Sequence, residues 1–262
     1  MGQIIAFANQ KGGVGKTTLT VQAAFHYAVR RHQRVLVVDM DAQANSTSTM
    51  LAGEELTSTH SEALFRKDTE VKVQTVQFDI DLIGSSRNDN AGYDAESLPI
   101  EAAGNPAIHL QKLRDDYDKI FLDCPPSLGR RLLSALLAAD FVVCPIKLSG
   151  YAVDGLTSLY ETISAVQTQL RPDLTILGAI VNEFDGTASQ TKSLNAVKEI
   201  VPGLAFEAKI KHRAPVDAAS AGRPVWSVPN GMRAAQEFEA VFNEMDERIA
   251  KFQRDAALHN RT

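Results

Sequence analysis

The residues Lys11-Gly12-Gly13-Val14-Gly15-Lys16-Thr17-Thr18 bring together glycines, lysines and hydroxyls in one short stretch. Glycines let a backbone turn tightly enough for successive N–H groups to converge on an anion. The apolar run Ile4-Ile5-Ala6-Phe7-Ala8 precedes this stretch and a helical pattern follows it. A loop between strand and helix adds the positive end of the helix dipole to the same anion. In that setting Lys16 would bridge the β- and γ-phosphates of a nucleotide and the Thr17 hydroxyl would ligate Mg2+. The usual pattern, G-x-x-x-x-G-K-[ST], has glycine where this chain has Gln10, and a second lysine, Lys11, stands at the loop's entrance.

Strand-end carboxylates supply the other half of a metal–phosphate site. Asp123 ends the apolar run Lys119–Asp123. Its carboxylate is expected at the C-terminal edge of a sheet, beside the loop, as a water-mediated partner of Mg2+. Asp39 and Asp41 lie two apart at the end of another run, so in extended geometry they point the same way. Read alone, that pair fits ordinary solvation of a strand end equally well.

The elements that must position these groups follow from periodicity. Strand-like runs are Gln3–Ala8, Arg34–Asp39, Phe78–Gly84, Lys119–Asp123, Phe141–Pro145, Thr175–Asn182 and Leu204–Ile210. Helical patterns occupy about 15–31, 106–116, 130–138, 155–170 and 189–200. The alternation predicts an α/β fold: a doubly wound, mostly parallel sheet with helices on both faces. Runs such as Val35-Leu36-Val37-Val38, apolar on both sides, suit central strands between helix layers. The polar stretch 84–105 reads as an irregular surface excursion, and the whole chain, 1–262, as a single domain. A long helix is expected over about 232–258, with Phe238, Val241, Phe242, Met245, Ile249 and Phe252 on one face, packed on the sheet.

Composition excludes several classes. Hydrophobic residues make up 44% and charged residues 23%, so the chain is neither disordered nor collagen-like. With 27 basic and 32 acidic residues the net charge is -5, so nucleic acid could be held only by a local basic patch. Cys124 and Cys144 sit in apolar runs and read as buried, reduced core thiols. No run of about 18 apolar residues and no signal-peptide pattern occurs, which leads us to expect a cytoplasmic protein.

The loop Ala8–Thr18 resembles the deviant Walker A box of the ParA/MinD family of P-loop ATPases. Val35–Asn45 is similar to that family's second acidic box, with Ala42 and Ala44 where ParA proteins usually carry proline and glycine. Ile120–Ser127 resembles the Walker B strand and its switch, and Ile210–Val225 a later ParA segment. The resemblance implies a set of roles. ATP would be held by Lys11, Gly12, Gly13, Val14, Gly15, Lys16, Thr17 and Thr18, and Mg2+ by Thr17, Asp39 and Asp123. Asp41 would position the attacking water, and Asp39 would support the metal and Lys16. Lys11 would reach across an ATP-bound homodimer to the partner's nucleotide. Asn182 stands where relatives use an amide for the base, although a turn residue is an equal reading, and Pro215 would pack near the ring. Pro125-Pro126 would stiffen the second switch loop.

Only Met1-Gly2 precede the first strand, which leads us to expect no N-terminal helix-turn-helix domain. The resemblance then implies sequence-independent DNA binding by the ATP dimer on the nucleoid, with hydrolysis stimulated by a ParB-like centromere-binding partner. Candidate DNA contacts are Lys192, Lys209, Lys211, Arg213, Arg223 and Arg233, with 209–213 the densest basic cluster. The alternatives are a ParA-like positioning ATPase for a non-DNA cargo and a MinD-like membrane regulator. Six acids against four bases from Ala234 onward argue against stable membrane association.

Overall fold

A computed structural model of the chain describes residues 1–87, 95–149, 152–200 and 202–259. Its strands are β1 (Gln3–Phe7), β2 (Val35–Asp39), β3 (Gln74–Val76), β4 (Ile80–Ile83), β5 (Lys119–Asp123), β6 (Phe141–Lys147), β7 (Thr175–Asn182) and β8 (Ala205–Lys209). They form one sheet in the order β3-β4-β2-β5-β1-β6-β7-β8. Every pairing is parallel except that of β3 with β4. From β1 the chain winds first to the β2 side and later to the β6 side. Such a reversal opens a crevice at the strands' C-terminal ends, where ligands of open α/β sheets bind.

Side-chain alternation gives the sheet two cores. Ile5, Phe7, Val35, Val37 and Phe121 are buried on one face, against α1 (Lys16–Phe25) and α8 (Met232–His259). Ile4, Ala6, Leu36, Val38, Ile120 and Leu122 are buried on the other. There they meet α3 (Asn105–Leu113), α4 (Arg130–Ala138), α5 (Ala152–Gln169) and α6 (Ala188–Ile200). The central strands are apolar on both sides because both sides are covered, as their composition predicts. Cys124 and Cys144 are free and buried in the second core. Burial pushes the Cys144 thiol up to about 12, so it is inert as a nucleophile.

Helix α8 lays Phe238, Val241, Phe242, Met245 and Ile249 on the sheet, but Phe252 remains 38% exposed. A buried joint fixes this helix to β5. The Lys119 ammonium donates to Asp246 Oδ1 at 2.9 Å and to Gln3 Oε1 at 2.6 Å, and sits 4.8 Å over the Tyr27 ring.

Three local expectations are corrected. The run at Phe78 does not start a strand: Phe78 has a left-handed φ of 60° and is exposed, and β4 begins at Ile80. The edge strand β3 and two short helices, α2 (Asn45–Leu51) and α7 (Ala214–Ala219), add to the elements that periodicity predicts. The 84–105 stretch is more ordered than a surface excursion where it is described. Ala95 and Ala103 are buried, residues 95–97 make a helical turn, and a 3-10 helix spans Ile100–Gly104. Residues 88–94 of that stretch lie outside the described residues.

Candidate functional site

The glycine loop leaves β1 at Ala8 and is tied down from two neighbouring strands. Asn9 Nδ2 donates to the Pro145 carbonyl of β6 at 2.6 Å, while Asn9 Oδ1 accepts the Lys11 N–H at 2.8 Å. On the far side Asn182 Nδ2, at the end of β7, donates to the Val14 carbonyl at 3.0 Å. Gly13 (φ 69°) and Gly15 (φ 96°) take left-handed conformations that other residues rarely adopt. A Cβ at Gly15 would lie 2.2 Å from Asn182 Nδ2, so glycine is required there on two counts.

Lys16 opens α1 and is only 7% exposed; its ammonium donates to the Lys11 carbonyl at 3.3 Å. Burial lowers its proton affinity, and the charge of Asp123 opposes that shift. Thr17 Oγ1 donates to Asp123 Oδ2 at 2.7 Å. Asp123 pairs in register with Asp39 of β2 and with Phe7 of β1, so the strand ends place it beside the loop. Asp123 is fully buried, and burial, then the neighbouring Asp39 charge, raise its proton affinity. Its Oδ1 accepts no hydrogen bond from the described residues. Two dry carboxylates side by side, one with an orphaned oxygen and a threonine hydroxyl on the other, suit a hard cation. No group of three or more metal-ligating side chains occurs among the described residues. Mg2+ takes one or two protein oxygens and completes its shell with water and phosphate.

The structure separates Asp39 from Asp41. Asp39 is fully buried, with Oδ1 accepting the Asp41 N–H at 3.0 Å and Oδ2 accepting Thr47 N–H and Oγ1 at 2.9 and 2.6 Å. Both its oxygens accept hydrogen bonds from residues 41–47, so Asp39 supports the Asp41 backbone and α2. Asp41 lines a cleft of about 400 Å³ together with Gly12, Gly13, Gly15, Lys16, Thr17 and Thr18. Thr47 is the residue that the sequence reading missed; the hydroxyl-rich Ser46-Thr47-Ser48-Thr49 after a strand-end acid was its signal.

The same cleft continues over Asn182, Glu183, Lys211, His212, Arg213, Val216 and Asp217. Pro215 is not among its lining residues; its neighbour Val216 is. Lys11 is exposed, and its ammonium donates to Ser149 Oγ at 3.2 Å. Four of the basic candidates, Lys209, Lys211, Arg213 and Arg233, lie around two clefts that share Arg213. Lys211 and Arg213 line the cleft, and Arg213 is bound to Glu237 Oε1 at 2.6 Å. His212 lies 3.9 Å from Glu183, and the Lys209 ammonium donates to the Glu207 carbonyl. Arg233 shares a shallow cleft with Lys209, Arg213 and Glu237. Lys192 lies apart on α6, and Arg223 donates weakly to the Ser227 carbonyl.

The sequence profile of the AAA domain family matches residues 2–176. The chain is 33% identical to the sporulation initiation inhibitor protein Soj of Bacillus subtilis, over 94% of this chain and 98% of that protein. It is 37% identical to the chromosome partitioning protein ParA of Myxococcus xanthus, over 72% of this chain and 68% of that protein. In fold it is similar to an McdA variant of Cyanothece in complex with ATP, with a TM-score of 0.83 at 21% identity, covering 94% of this chain and 96% of that one. A glycine loop latched between β6 and β7, two strand-end carboxylates beside it, and likeness to Soj along nearly its whole length place this chain in the ParA/Soj family of P-loop ATPases.

Proposed function

We propose that this protein is a Mg2+-dependent partition ATPase that cycles between an ATP-bound, DNA-holding dimer and a released form. The observation that carries the ATPase reading is the contact of Thr17 with the buried Asp123, where Thr17 and Lys16 line the cleft. The loop amides and Lys16 would bind the β- and γ-phosphates, and Thr17 and Asp123 would hold Mg2+, which would supply charge neutralisation for phosphoryl transfer. Asp41 orients the attacking water, and Asp39 fixes the backbone that carries Asp41. No general base stands in these boxes, so unstimulated turnover is slow.

Lys11 is exposed and precedes Gly12, which lines the cleft; in this reading it meets the nucleotide of a second copy. Two triphosphates facing each other repel, and an ammonium lent by each subunit offsets that repulsion, which makes the dimer depend on ATP. Light scattering with ATP tests this: the wild type is expected to dimerise and Lys11→Ala to remain monomeric. An unchanged dimer fraction in the variant rejects the arrangement.

DNA binding without sequence preference, on the nucleoid, and stimulation by a ParB-like partner complete the reading; the name of the ParA relative, a chromosome partitioning protein, supports the partition role. The base lies toward Asn182 and α7. The DNA contacts are best sought at Lys192, Arg223 and Arg233, outside the nucleotide cleft. DNA retention on a filter, with ATP against ADP, is the direct measurement; equal retention in both states rejects the cycle.

A further inference from the structure

A second set of contacts runs beneath the cleft. Met40 lies between Asp39 and Asp41, and its peptide groups are gripped from both sides by the β5–α4 segment. Its N–H donates to the Asp123 carbonyl at 2.9 Å, and its carbonyl accepts Arg131 Nη1 at 3.3 Å. Arg131 belongs to the first turn of α4, the helix that follows the loop after Asp123, and is 2% exposed. Its Nη2 is paired with Glu62 Oε1 at 3.0 Å. The same Glu62 oxygen accepts Ser85 Oγ at 2.9 Å and the Ser86 N–H at 3.2 Å. Ser85 N–H donates to Thr47 Oγ1 at 2.8 Å, and Thr47 in turn holds Asp39. The circuit closes on the loop that carries Asp41. The start of α4 is itself fixed, because Glu96 Oε2 accepts the Arg130 N–H at 2.7 Å and Oε1 the Arg131 N–H at 3.2 Å.

We infer that Arg131, locked by Glu62, is a positioning residue for Asp41. It transmits the placement of the loop after Asp123 to the loop after Asp39. The inference rests on the reading of Asp41 as the water-orienting group. A buried guanidinium donates in a fixed fork, so it can hold a carbonyl and a carboxylate at once. A lysine ammonium also has several donors, but they radiate from a single nitrogen and lack the planar fork that reaches two separated acceptors in fixed geometry. A small misplacement of a reacting group is enough to lower a rate by about 100-fold without changing how tightly substrate binds.

Single-turnover ATP hydrolysis and nucleotide Kd, measured on the full chain, test the idea. Arg131→Met is expected to slow hydrolysis by about 10- to 100-fold while ATP Kd moves by less than about threefold. Arg131→Lys should recover part of the rate. In an Asp41→Ala background Arg131→Met should cause no further loss, because the group it places is gone. Should Arg131→Met fail to fold, the double variant Arg131→Met/Glu62→Met replaces the pair with apolar groups and leaves no buried charge stranded. A folded variant that hydrolyses ATP at the wild-type rate overturns the inference, as does an equal fractional loss with and without Asp41. An Asp41→Ala protein with undiminished hydrolysis instead overturns the reading on which it rests.

Discussion

The two halves of the cleft handle charge in opposite ways. On the phosphate side, at the tips of β1, β2 and β5, Lys16, Asp39 and Asp123 are almost wholly buried and their partners come from within the cleft wall. On the other side, where our reading puts the base, Lys147–Glu183 (2.5 Å) at the ends of β6 and β7 and Arg213–Glu237 (2.6 Å) between the start of α7 and α8 pair where water still reaches them. Burial magnifies every charge on the first side, and solvent screens those on the second. The phosphate side should therefore tolerate almost nothing, and the base side should absorb changes with modest effects.

The largest expected effect is at Lys16. Lys16→Ala should reduce single-turnover ATP hydrolysis by about 1,000-fold or more, in line with loss of a principal charge contact to the transferred phosphoryl group. A loss below about tenfold would erase the contrast between the two sides. Next comes Gly15→Ala, which meets both a left-handed φ and the Asn182 amide. ATP Kd, read by a fluorescent analogue, should weaken by about 10- to 100-fold, since such strained substitutions cost about 1–3 kcal/mol. Adding Asn182→Ala relieves the clash but not the backbone strain, so only part of the affinity should return.

Behind the loop, His26 is 2% exposed, and burial first, then Arg31, depress its proton affinity to about 4 from 6.5. The folded state then binds fewer protons than the unfolded one. Stability is complete above pH 6.5 and falls as the pH drops toward 4, by on the order of 3 kcal/mol from this residue. Urea melts at about pH 7 and pH 4.5 should show the loss, and His26→Gln should flatten it; an unchanged slope in that variant would show that other groups carry it. The smallest effects belong to the basic residues. Lys192→Glu and Arg233→Glu should each weaken DNA retention by about threefold to tenfold and leave ATP Kd unaltered. Lys211→Glu and Arg213→Glu should disturb nucleotide binding as well, because both line the cleft. Retention that survives all four changes places the DNA elsewhere.

The phosphate side was legible in the sequence for the same reason that it is intolerant. Strands buried on both faces read as unbroken apolar runs, and the acids that close them, Asp39 and Asp123, fall in register on adjacent strands. What escaped depends on contacts distant in the chain. Asn45–Leu51 is rich in Ser, Thr and Asn, poor helix formers, and helix α2 is secured by Thr47 on Asp39. Phe78 looked like the first residue of a strand, but its packing edge-on against Phe25 accompanies a left-handed turn. The division of labour between Asp39 and Asp41 is invisible to spacing, because both lie on the same side of an extended chain. The basic run at 209–213 promised a patch, yet Glu237 on α8 closes on Arg213 from a helix that periodicity could place only on the sheet.

The joint between Lys119 and Asp246 has a practical bearing. Lys119 begins the strand that Asp123 ends, so the final helix is fastened to the far end of the rod that presents the metal-side carboxylate. A fluorescent reporter fused beyond His259 leaves this fastening untouched, whereas a deletion that reaches Asp246 strips a sequestered ammonium of its counter-ion and loosens the rod at its root.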